Sequence, residues 1–113
     1  MSGLEIEKSK IHVVVEIVQY IPNAILSKTI VKKITGNIVA FSFDAGEEQT
    51  ERKTPYDNFI QIIDGSAQLL LNGKVIQLSK GDGIVVPADV NHSFQAKEPF
   101  KMISTMIKSG IEI

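Results

Sequence analysis

Most of the chain follows the two-residue rhythm and composition of β-strands. From Ile25 onward the runs ILSKTIVKK (25–33), NIVAFSF (37–43), NFIQII (58–63), AQLLL (67–71), KVIQL (74–78), IVVP (84–87), NHSFQA (91–96) and FKMISTMI (100–107) are rich in β-branched and aromatic residues. Polar or glycine-bearing breaks separate them: Thr35-Gly36-Asn37, the long stretch DAGEEQTERKTPYD (44–57), Asp64-Gly65, Asn72-Gly73, Gly81-Asp82-Gly83 and Glu98-Pro99. Asn72-Gly73 is the strongest hairpin signal, because both residues tolerate the positive φ angles of a two-residue type I′ turn. Strands of this length with a turn about every 8–12 residues predict an all-β sandwich or barrel.

The residues ahead of the strands read two ways. In IHVVVEIVQYI (11–21), Val14, Ile17, Val18 and Ile21 share one helical face, whereas the valine run prefers a strand. Pro22-Asn23 ends the segment in either case. The expected organisation is a short helical or extended N-terminal segment over residues 1–23, packed on the barrel or on a partner subunit, followed by one barrel domain over 24–113. Leu69 to Leu71 and Ile84 to Val86 are apolar at consecutive positions. Both faces of those strands are therefore expected to be covered, by the N-terminal segment or by a second copy, and a homodimer is the expected assembly.

Composition narrows the function classes. A chain of 113 residues makes one domain. Its 12 basic and 13 acidic residues leave a net charge of −1, without the basic excess of a nucleic-acid surface, so no nucleic-acid partner is expected. Lys28, Lys32 and Lys33 read as a solvated strand edge. The chain has no cysteine, which excludes disulfides, zinc–cysteine clusters and thiol nucleophiles. The stretch MSGLEIEKSK is polar and acidic, unlike a signal or transit peptide, and no apolar run approaches the ~20 residues of a membrane span. A cytoplasmic protein with no membrane partner is the expectation.

The spacing of glycines then becomes specific. Gly46, Arg52, Thr54, Asn58 and Gly65 stand where the first motif of the cupin superfamily, G(x)5-HxH-(x)3–4-E-(x)6-G, has its fixed positions. Gly81, Pro87, Asp89 and His92 similarly resemble the second motif, G(x)5-PxG-(x)2-H-(x)3-N, with Ala96 at its last position. The resemblance covers roughly residues 38–107 and is closest to the small single-domain conserved-barrel cupins. It implies a double-stranded β-helix, or jelly-roll, barrel. In the family pattern, two histidines and a glutamate of the first motif join the histidine of the second to hold a divalent metal.

Here those four positions are Arg52, Thr54, Asn58 and His92. First-row metals need imidazoles or carboxylates, several together. Threonine and asparagine are poor substitutes, and a guanidinium has no lone pair and repels a divalent cation, by several kcal/mol at about 4 Å for an intermediate effective dielectric. No metal and no cofactor are therefore expected. His12, the other histidine, lies outside both motifs and reads as a surface or interface residue.

Three readings follow. In the first, the barrel binds a small polar or anionic molecule through Arg52, Thr54, Asn58 and His92. An arginine not paired by Glu51, Asp57 or Asp89 can fork onto a carboxylate or phosphate. In the second, the chain is an enzyme: a metal-independent isomerase or epimerase, with His92 and Tyr56 as catalytic candidates for proton transfer, or a metal-dependent cupin with non-standard ligands. In the third, the barrel is packed solid by Phe94, Ile60, Ile62 and Arg52 and only supports a dimer. Gln61, three residues from Asn58, is expected on the outer face.

Overall fold

The computed structural model describes residues 5–108 and is built from antiparallel strands. They are β1 (Ile25–Lys33), β2 (Gly36–Phe43), β3 (Asn58–Leu71), β4 (Lys74–Ser79), β5 (Gly83–Val86), β6 (His92–Gln95) and β7 (Phe100–Ile107). In one sheet the order is β1, β2, β7, then the first half of β3, which also pairs with β5. The second half of β3 lies between β4 and β6 in the other sheet. The two sheets face each other as the jelly-roll barrel that the sequence pattern implies.

One strand therefore serves both sheets, where the sequence suggested two strands with a stop at Asp64-Gly65. The register of β3 against β7 slips between Ile62 and Asp64, and Gly65 follows at φ +68°. A side chain at Gly65 would run into the Pro99 carbonyl. The bulge and the glycine turn the strand through the barrel corner without ending it. At Asn72 and Gly73 the φ angles are +49° and +83°, and Leu71 pairs with Lys74 across the turn, as expected for the Asn-Gly hairpin.

The pleat sorts side chains into two apolar layers. Phe43, Ile60, Ile62, Leu69, Phe94, Phe100 and Met102 point inward and form the main core. At the barrel end where Phe43 pairs with Phe100, their rings stack at 4.5 Å and 16°, and Phe94 lies 6.4 Å from each. Ala40 and Ile103 face the other way and pack with Val18, Ile17, Leu26, Ile30, Ile38 and Ile63. The N-terminal segment thus covers the outside of the β1-β2-β7-β3 sheet.

That segment does not form the helix that Val14, Ile17, Val18 and Ile21 would share. It contains one 3-10 turn, Val14–Glu16. Val18 is buried, while Val14 and Ile21 are exposed. Neither a longer helix nor a strand forms there, and the main chain is held by side chains of the sheet beneath it. Lys101 Nζ donates to the Val15 carbonyl (2.7 Å) and lies 4.8 Å from the centre of the Tyr20 ring. The Tyr20 hydroxyl donates to Asp64 (2.6 Å), and Ser42 Oγ to the Gln19 carbonyl (2.7 Å). Burial and the Asp64 carboxylate raise the Tyr20 phenol above its ordinary value.

Coverage of the other expected stretches is incomplete. Leu69 and Val86 are buried, Leu70 is half-buried and Val85 is exposed. The apolar layer covered on both faces lies on β2, β7 and Ile63 of β3, where the N-terminal segment reaches, and not on β5. Lys32 and Lys33 are exposed on edge strand β1, Lys28 is half-buried, and Glu5 accepts from the Lys32 N–H (2.8 Å). No helix among the described residues is long and apolar enough to cross a membrane.

Candidate functional site

The polar stretch 44–57, read from sequence as a loop, builds one wall of the site. Its backbone runs antiparallel to β6 and exchanges hydrogen bonds with it. Gly46 N–H donates to Ala96 O (2.7 Å), Ala96 N–H to Glu47 O (2.9 Å) and Gln49 N–H to Phe94 O (2.9 Å). Arg52 and His92 then bond each other in both directions at 2.9 Å. Directly opposed residues of an antiparallel pair project to the same face. Arg52 and His92 accordingly line the same cavity, together with Thr54 and Asn58.

The loops around the cavity are pinned by polar contacts. Asp89 N–H donates to Thr54 O (2.7 Å), and Asp57 Oδ1 accepts from Ala88 N–H (2.8 Å), which ties the two glycine-bounded motifs together. Asp89 adopts φ +64°, the conformation for which the family pattern has glycine at this place. Aspartate is among the residues that tolerate the left-handed region. Ala96, at the motif's final position, is buried in the core.

The cavity has a volume of ≈ 140 Å³ and opens at the barrel end opposite the stacked phenylalanines. Its floor is apolar, with Val39, Phe41, Ile60, Phe94, Met102 and Met106; its polar groups are Arg52, His92, Gln49, Asn58, Thr54, Ser104 and Asn37. A barrel packed solid is thereby ruled out, because only its far end is filled by rings. The sequence singled out four of these polar residues. Ser104 and Asn37 become visible only through the β2-β7-β3 register, which sets Asn37 and Asn58 both against Met106. Gln49 lies in the polar stretch with no pattern to mark it.

The polar side chains differ in what remains free. Asn58 Oδ1 accepts from Ser104 Oγ (2.8 Å) in a buried bond, and Thr54 Oγ1 donates to the Tyr56 carbonyl (3.1 Å). His92 Nδ1 lies 3.1 Å from the Val90 carbonyl, which can only accept, so Nδ1 carries the hydrogen and Nε2 is the acceptor of the neutral ring. Arg52 is exposed at the mouth. Among the described residues the one ion pair within 4 Å joins Lys10 to Glu7, so Glu51, Asp57 and Asp89 leave Arg52 uncompensated.

Tyr56 does not line this cavity, so the structure does not bring the two catalytic candidates together. His12 Nε2 contacts the Glu7 carbonyl (3.0 Å), on the N-terminal segment. Gln61 is exposed on the outer face, as expected.

The donor set does not fit a divalent metal. One imidazole nitrogen faces a guanidinium, an asparagine oxygen already used by Ser104, and a hydroxyl turned to a backbone carbonyl. Among the described residues no three His, Cys, Asp or Glu side chains converge. No chemical step through a metal is derived from such a set.

Comparison with known proteins matches this geometry. A conserved Streptococcus pyogenes protein of unknown function has a solved structure that is 28% identical, with a TM-score of 0.87 over 94% of this chain and 93% of that one. A cupin superfamily protein from Desulfitobacterium hafniense is 24% identical, with a TM-score of 0.85 over 91% and 94%. A Cupin 2 conserved barrel domain protein from Leptotrichia buccalis is 32% identical over 83% of this chain and 46% of its own, with a TM-score of 0.80. A search among curated proteins finds no match. The family model described as Cupin domain matches residues 39–106, and with both glycine-bounded motifs paired as neighbouring strands of one barrel, this chain belongs to the cupin family.

Proposed function

We propose that this cupin binds a small anionic molecule in the mouth of its barrel, through Arg52 and without a divalent metal. One observation carries the reading. The chain's single arginine lines the cavity opposite His92, with no carboxylate within 4 Å among the described residues. A guanidinium in that position presents two parallel N–H donors to a carboxylate or phosphate. His92, Asn58 and Thr54 shape the rest of the polar rim.

A thermal-shift series with acetate, butyrate, succinate and phosphate tests this. At least one anion is expected to raise Tm with concentration, by mass action on the folded state. The shift should vanish in Arg52→Gln. If none of these anions stabilises the protein, the proposal is wrong.

The partner surface we infer is a second copy of this chain on the outside of β5. Phe59 and Val85 are cross-strand partners there, 42% and 54% exposed, and β5 pairs with β3 alone. Phe59 also lines a groove that Lys80 and Asp82 border. About a twofold axis each could meet the other's opposite charge, the self-complementarity that an isologous interface requires. Sedimentation equilibrium should give a dimer, and Val85→Glu a monomer. A monomeric wild type at micromolar concentration would refute it.

A further inference from the structure

We infer that the ligand of this cavity is a short-chain hydroxy acid rather than a simple carboxylate, an amino acid or a keto acid. The inference rests on the anion-binding reading above and specifies its substrate class. Two acceptors that line the cavity find no donor among the described residues. Gln49 Oε1 is buried with no hydrogen-bond partner, and Gln49 lines the cavity. With Nδ1 turned to the Val90 carbonyl, Nε2 of the neutral His92 ring is a second acceptor without a donor among the described residues. The Asn58 oxygen already accepts from Ser104, and the Thr54 hydroxyl hydrogen is given to the Tyr56 carbonyl. A buried acceptor left unpaired costs about 1–3 kcal/mol, so a ligand that brings a donor gains over one that does not.

The donor is a neutral hydroxyl and not an ammonium group. No aspartate or glutamate lines the cavity, and Arg52 already places a positive charge at its mouth. A second cation there would meet repulsion with no compensating anion.

Size sets the remainder. A cavity of ≈ 140 Å³ is close to the roughly 150 Å³ that admits benzene, so about six or seven heavy atoms can enter. With the carboxylate on Arg52 and the hydroxyl on Gln49 and His92, two or three carbons are left for the floor of Ile60, Phe94 and Met102.

Calorimetric titration of the wild-type protein with 2-hydroxybutyrate, 3-hydroxybutyrate, butyrate, 2-oxobutyrate and 2-aminobutyrate separates the possibilities. One hydroxybutyrate isomer is expected to bind at least ~10-fold tighter than the other three classes, as an unpaired buried acceptor implies. In Gln49→Leu the hydroxy-to-deoxy ratio should fall toward one. Equal binding of butyrate and both hydroxybutyrates overturns the inference and leaves the anion site intact. Preference for 2-oxobutyrate or 2-aminobutyrate overturns it by showing that the cavity seeks an acceptor or a cation. Binding of none of the five, with no stabilisation by any anion, overturns the anion-binding reading as well.

Discussion

Arg52 and His92 are opposed across two antiparallel segments, each N–H donating to the other's carbonyl at 2.9 Å. One segment comes from the first glycine-bounded motif and the other from the second, 40 positions later. The pairing aims a permanent cation and an imidazole into one cavity. A divalent metal and Arg52 would compete for the same space, and that conflict defines what the site can do.

Removing the conflict should restore metal binding. The triple variant Arg52→His, Thr54→His, Asn58→Glu supplies two imidazoles and a carboxylate at positions that line the cavity with His92. The variant is expected to bind Ni²⁺ or Zn²⁺ at least 100-fold more tightly than the wild type, measured by titration after chelator treatment. Unchanged affinity would mean that these four side chains do not converge. Stoichiometric metal on wild-type protein purified without chelator would contradict the metal-free reading directly.

The buried bond between Ser104 and Asn58 should show as coupling between β7 and β3. Ser104→Ala removes a donor and leaves Asn58 Oδ1 unpaired, at a cost of about 1 kcal/mol, roughly 4 °C in Tm for a chain this size. In a double-mutant cycle with Asn58→Ala the two losses should fall short of additive by about 1 kcal/mol. Strict additivity would show that the bond contributes nothing.

Gly65 should tolerate no side chain. Its φ of +68° and the Pro99 carbonyl facing the missing Cβ mean that Gly65→Ala both strains the backbone and forces the corner open. A loss of about 2 kcal/mol or more is expected in urea unfolding. Gly73→Ala is the control: φ is also positive there (+83°), but nothing lies near the added carbon, so the loss should be smaller.

Alkaline pH should loosen the N-terminal segment. The Tyr20 phenol, raised by burial and by Asp64, keeps its proton in the folded chain at pH values where the unfolded chain has begun to lose it. Stability from this group is therefore complete below its ordinary value near 10 and declines as pH rises above it. Between pH 9 and 11.5, the Tm of wild type should fall more steeply than that of Tyr20→Phe. The Lys101 ammonium over the Tyr20 ring and the Glu98 carboxylate are present in both proteins, so the difference reports the phenol. Parallel curves would assign the alkaline loss elsewhere.

Much of the barrel could be read along the chain. Strands β1 and β7 run as their β-branched patterns indicate, and the Asn72-Gly73 hairpin folds as its backbone preferences require. Both kinds of signal are local. Periodicity and turn chemistry act over a few residues, and the missing metal ligands are a matter of side-chain type alone. The resemblance to the two cupin motifs associates Arg52, Thr54, Asn58 and His92, which line one cavity.

Tertiary structure decided what local signals could not. Asp64-Gly65 looks like a strand end, yet β3 continues through it because β7 pairs on both sides of the bulge. The apolar periodicity of 11–21 suits a helix, yet contacts with Ser42 and Lys101 hold that segment against the sheet with a single helical turn. Gln49 sits in a stretch with no strand pattern, and only its pairing against β6 turns it to the cavity. Each of these outcomes depends on hydrogen bonds or packing between residues far apart in the chain, whose energies outweigh local preference and leave no trace in residue order.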